Sequence, residues 1–120
     1  MDKPNTTWRI FGMYLLVLLF ILISGSAKGQ MQVIVFNAGW NDANKVEWAW
    51  KLEDVQTYAY IDISKDTELQ KKHKIAVIPT IIIFKDDVEV ARFQADLSFK
   101  MVATKEEVQE EISNQLMSDF

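Results

Sequence analysis

Ile78-Pro79-Thr80-Ile81-Ile82-Ile83-Phe84-Lys85-Asp86-Asp87-Val88-Glu89-Val90-Ala91-Arg92-Phe93 holds two strands and the turn between them. Thr80 to Phe84 is an unbroken β-branched and aromatic run, the pattern of a strand covered on both faces. Val88 to Phe93 alternates apolar with polar residues, as a strand buried on one face does. Lys85-Asp86-Asp87 is polar and short enough for a tight hairpin turn.

Gln32-Val33-Ile34-Val35-Phe36 reads as a further buried strand and Tyr58-Ala59-Tyr60-Ile61-Asp62-Ile63 as another. Helices are expected between and after them. Asn41 or Asp42 caps one that runs to about Asp54, with Val46, Ala49 and Trp50 on its inner face. Residues 66–74 form a short second helix. Thr104-Lys105-Glu106-Glu107 is a capping box opening a third, in which Val108, Ile112 and Leu116 recur every four residues. Two helices alternating with strands imply a right-handed crossover and a mixed sheet.

Composition narrows the chemistry. The chain has 120 residues, 49% apolar and 25% charged, which is the balance of one packed domain. It contains no cysteine, so disulfides, thiolate metal sites and thiol nucleophiles are excluded. His73 is the one histidine, which excludes a multi-histidine metal site, and no cofactor is expected. The net charge of −4 argues against nucleic acid as a partner.

The first residues differ from the rest. Lys3 and Arg9 precede an almost unbroken apolar run over residues 10–23, and Ser24-Gly25-Ser26-Ala27 follows. That is the layout of a secretory signal, and the run is shorter than the roughly 20 residues a spanning helix needs. Residues 1–29 are therefore expected to be a signal peptide, or else an N-terminal membrane anchor, and 30–120 the domain. A membrane enters only if the segment is retained. The domain would be secreted or periplasmic, or anchored facing the periplasm, with 10 basic and 16 acidic residues after cleavage.

The element order and two motifs resemble the thioredoxin family. Ile78-Pro79-Thr80, followed by Phe84-Lys85-Asp86, is similar to that family's I-P-T strand and F-K-[ND]-G hairpin. Val35-Phe36-Asn37-Ala38-Gly39-Trp40 is similar to the strand leading to its W-C-G-P-C site, so Asn41-Asp42-Ala43-Asn44 falls on C-G-P-C without a gap. The resemblance covers roughly residues 32–116. It implies an α/β minimal thioredoxin-like fold, with a central mixed sheet of about four strands flanked by helices, and a cis bond before Pro79.

The departures decide the expected function. Both cysteine positions are asparagine, Asn41 and Asn44, so no catalytic residue is assigned. The aspartate that moves a proton in many thioredoxins falls on Val35. Asp87 replaces the turn glycine, Ala95 replaces another beside the site, and residues 95–103 form a long link to the last helix. The chain from Lys45 to Ile63 is shorter than usual, which implies a short first helix.

What remains is a binding surface: Trp40, Asn41, Asp42, Ile78 and Pro79, lining a groove for an extended protein or peptide segment. Trp40 offers a large apolar contact with a polar edge. Asn41 and Asn44 either bond a partner or serve as helix caps and solvated groups. Of Trp48 and Trp50, two apart, one belongs to the core. The acidic run over residues 106–111 reads as a solvated helix face, His73 as exposed and without a role, and Asp62 as a candidate buried acid. Expectation therefore favours a redox-silent binding or adaptor module over an enzyme. The alternatives are an accessory role in disulfide homeostasis and a structural subunit of an envelope complex.

Overall fold

A computed structural model describes residues 29–118. The segment read as a signal or anchor lies outside the described residues, Gly29 apart. Four strands form one mixed sheet: β1 (Met31–Asn37), β2 (Thr57–Asp62), β3 (Thr80–Lys85) and β4 (Val88–Gln94), in the order β2-β1-β3-β4. β1 runs parallel to β2 and antiparallel to β3, and β3 is antiparallel to β4. The helices are α1 (Thr67–Lys72) and α2 (Lys105–Met117).

The continuous apolar runs of β1 and β3 are explained by their central place, where both faces are covered. Met31, Val33 and Val35 of β1 join Ile81 and Ile83 of β3 on one face, against Val108 and Ile112 of α2. Ile34, Phe36 and Ile82 point the other way and meet Ala38, Ile75 and Ile78, with Leu69 of α1 at the margin. A slip of one residue would exchange these two cores, so the register is fixed by burial.

The end devices of the helices are those that the sequence encodes. The Thr104 hydroxyl accepts the Glu107 N–H at 3.2 Å, while the Glu107 carboxylate accepts the Thr104 N–H at 3.1 Å. Asp66 accepts the Leu69 N–H at the start of α1. Lys85 Nζ donates to the Gln115 carbonyl at the far end of α2. The hairpin between β3 and β4 closes through Asp86 and Asp87, both left-handed at φ 51° and 70°. The Asp86 carboxylate accepts the N–H groups of Gly29 and Gln30 and so ties the entrance of β1 to this turn.

Residues 42–54 form no α-helix but two 3₁₀ segments, Gly39–Asn44 and Ala49–Lys51, with Lys45 extended between them. The buried residues are Val46, Ala49 and Leu52, three apart, which is the 3₁₀ period. Trp50 therefore faces out, 64% exposed, and Trp48 packs against the core in its place.

His73 is not an idle surface residue. Its ring lies 5.4 Å from that of Phe36 and 5.7 Å from that of Phe84, and burial together with the nearby Lys72 holds its pKa below the usual imidazole value.

Two predictions concern stability. Asp87→Gly removes the cost of a side chain in a left-handed turn position and should raise stability by about 0.5–1 kcal/mol, read by chemical denaturation. Because the folded pKa of His73 lies below its unfolded value, its neutral ring contributes stability above the unfolded pKa, which is lost as pH falls from there through the folded pKa. Unfolding measured at pH 7.5 and pH 5 should show this loss in the wild type, and His73→Phe should lack the histidine's share of it.

Candidate functional site

At the end of β1 the chain carries Asn37, turns through Ala38 and Gly39, and enters the first 3₁₀ segment. Gly39 sits so close to Asp62 that a Cβ there would lie 3.2 Å from its carboxylate oxygen. The Asp62 carboxylate accepts the Gly39 N–H and both the N–H and hydroxyl of Ser64, and these bonds hold its pKa below the usual carboxylate range. Asp62 is thus a solvated turn acid, not a buried one.

Asn41, on the nucleophile position of the C-G-P-C alignment, is 5% exposed. It does not cap the segment with its side chain, contrary to the capping reading. Its Nδ2 donates to Asn37 Oδ1 at 3.0 Å and to the Phe99 carbonyl at 3.1 Å. Its Oδ1 accepts from Asn44 Nδ2 at 2.9 Å. Asn37 Nδ2 in turn donates to the Asn41 carbonyl and to Tyr60 Oη. Both amide hydrogens and the amide oxygen of Asn41 are spent inside the protein. Among the described residues no buried side-chain nitrogen or oxygen lacks a partner.

The Phe99 carbonyl arrives on the link after β4. Ala95 pairs with Met101 in an isolated bridge, and Asp96 collects the N–H groups of Ser98 and Lys100 and the Ser98 hydroxyl. Phe99 takes the left-handed conformation, φ 64°, which aims its carbonyl at Asn41. Its ring meets Trp40 edge to face, centroids 5.2 Å apart. The link is therefore a tight flap closed over the alignment's nucleophile position.

The predicted binding residues fall into two groups. Trp40 is 67% exposed and Asp42 lies at the surface, whereas Asn41, Ile78 and Pro79 are buried. The Ile78–Pro79 peptide is cis, as the resemblance implied. Ile78 packs in the same cluster as Ala38, just before Trp40. Val35, at the proton-transfer position, is fully buried in the core. Sequence reading missed Asn37, Tyr60 and Phe99. Tyr60 stands near Asp42 and Asp62; partial burial raises its pKa, and the two carboxylates add to that.

Solved structures similar to this chain include thioredoxins. The Fasciola hepatica thioredoxin is 28% identical over 77% of this chain and 86% of its own, with a TM-score of 0.54. The chain has a thioredoxin-like fold and contains no cysteine. A Nicotiana alata thioredoxin is 19% identical over 81% of this chain and 82% of its own, TM-score 0.58. The oxidised thioredoxin of Plasmodium falciparum is 16% identical over 81% and 89%, TM-score 0.52. No protein-family model and no curated protein matches the sequence.

In this thioredoxin-like frame the two asparagines replace thiol chemistry by a carboxamide network. Among the described residues no cluster of His, Asp or Glu has the makings of a metal site. Asn41→Ala strands acceptors on Asn37 and Phe99 and should cost about 2–4 kcal/mol of stability. Asn41→Asp puts a carboxyl oxygen in place of that donor, facing those two acceptors, and only the protonated carboxyl can donate to one of them. Its carboxyl pKa is expected above the unfolded value, so the variant should lose stability as pH rises from 4 to 7, opposite in slope to an ordinary salt-bridged acid. Thermal unfolding across that range checks the slope.

Proposed function

We propose that this protein is a redox-silent binding module outside the cytoplasm, which holds an extended partner segment against Trp40. The observation that carries the reading is the exposure of Trp40 beside a sealed site. A large indole stands 67% in solvent, braced edge-on by Phe99, directly next to a residue whose every polar group is internally bonded. A tryptophan fixed in this way presents apolar area at little entropic cost, and buried tryptophans are among the strongest interface anchors.

With Asn41, Ile78 and Pro79 buried, the contact surface is narrower than the five-residue groove expected from sequence. A partner meets the Trp40 ring, the Phe99 edge and the Asp42 carboxylate, and the buried residues hold that surface in place. Thiol–disulfide exchange by the chain's own residues has no atoms to use, since the sequence lacks cysteine. The extracytoplasmic site rests on the signal-like N-terminal pattern, residues 10–23 above all.

Chemical crosslinking of the full chain in its native envelope tests the reading. Wild type and Trp50→Ala should capture the same defined partner, while Trp40→Ala should lose capture by about tenfold or more, the effect of removing one anchor worth roughly 1.4 kcal/mol or above. Equal capture by Trp40→Ala would remove the surface from the account. Separately, addition of the protein to dithiothreitol and insulin should leave the reduction rate unchanged.

A further inference from the structure

The two edges of the sheet are built differently. β4 carries Glu89 and Arg92, its pairing with β3 shifts register between Ile83 and Phe84, and the Arg92 guanidinium reaches the carbonyls of His73 and Lys74. Charge and a bulge are the usual defences of an exposed edge. β2 has neither. Thr57 to Asp62 contains no lysine, arginine or proline, and its six pairs with β1 run without a break. Its one charge, Asp62, stands at the strand end.

The backbone of β2 has a defined outward row. Ile63 N–H donates to the Asn37 carbonyl of β1, so by alternation Ala59 and Ile61 also turn their polar groups to β1. Tyr58 and Tyr60 then turn theirs away from the sheet. Among the described residues no strand pairs with that side. The same two residues are the exposed side chains of the strand, at 36% and 42%. Asn37 fixes the Tyr60 ring through its hydroxyl.

We propose that β2 pairs with β2 of a second copy, antiparallel, about a two-fold axis at Ala59. A two-fold relating antiparallel strands in one sheet stands perpendicular to it and keeps each face on its own side, so odd residues meet odd and even meet even. With Ala59 on the axis, Tyr58 of each copy faces Tyr60 of the other. Those are the residues with outward N–H and C=O groups, so both tyrosine pairs are hydrogen-bonded pairs and also cross-strand aromatic pairs. The register also sets Asp62 near Gln56 of the other copy instead of opposing acid to acid. Two short strands bury a small interface, below about 1,200 Å² in total, so the dimer is reversible. This surface is separate from Trp40, and neither reading depends on the other.

The natural lack of cysteine makes the test direct. Ala59 of each copy would form a non-hydrogen-bonded pair with Cα atoms about 4.5 Å apart, within disulfide range. The full chain bearing Ala59→Cys, oxidised with copper–phenanthroline, should give a disulfide dimer on a non-reducing gel. Val102→Cys, on an exposed loop, serves as the collision control. Adding Tyr58→Pro removes an outward N–H but no bond to β1 and should abolish the dimer with the circular dichroism retained. Tyr58→Lys, which leaves all backbone groups in place, should weaken it in the same way. Absence of dimer from Ala59→Cys, crosslinking no greater than that of Val102→Cys, or a dimer that survives both Tyr58 substitutions would overturn the proposal.

Discussion

A buried carboxamide must find its partners inside the protein, and the region around Asn41 is organised by that requirement. Asn41 is served by Asn37 from the end of β1, by Asn44 one turn onward, and by the Phe99 carbonyl from a loop 58 residues away. The position of Phe99 follows from that last bond, and the support of the Trp40 ring follows from Phe99. One amide therefore links a strand end, a 3₁₀ segment, a closing flap and an exposed aromatic. A cysteine at this position has one weak donor and cannot hold three such partners. Replacement of thiol by amide thus changes the mechanical role of the position as well as its chemistry.

The sheet beneath could be read from residue type alone, because its signals are local. Three consecutive isoleucines, Ile81, Ile82 and Ile83, can be satisfied only by a strand covered on both sides, and all three are fully buried. The capping box at Thr104 and Glu107 and the aspartate turn at Asp86 and Asp87 were equally visible, since each is complete within four residues. The thioredoxin resemblance placed Asn41 and Asn44 at one end of that sheet.

The site itself was less legible, for physical reasons. Asn37 ends an apolar strand and shows no sign, in sequence, of belonging to a network. Phe99 acts through its backbone carbonyl, so its residue type carries no record of the contact. The expected helix after Asn41 failed because Val46, Ala49 and Leu52 recur at three residues, a period that one turn of either helix type accommodates until packing decides. His73 sits among lysines in sequence and between two phenylalanine rings in space. In each case the deciding contact is remote along the chain.

The Asn41 amide is locked between Asn37 Oδ1 and the Phe99 carbonyl. Hydrogen exchange of side-chain amides by nuclear magnetic resonance measures this directly. The two Asn41 Nδ2 protons should exchange far more slowly than those of Asn114, which lies on α2. Exchange of Asn41 as fast as that of Asn114 would mean that the flap is open and the network does not hold the site.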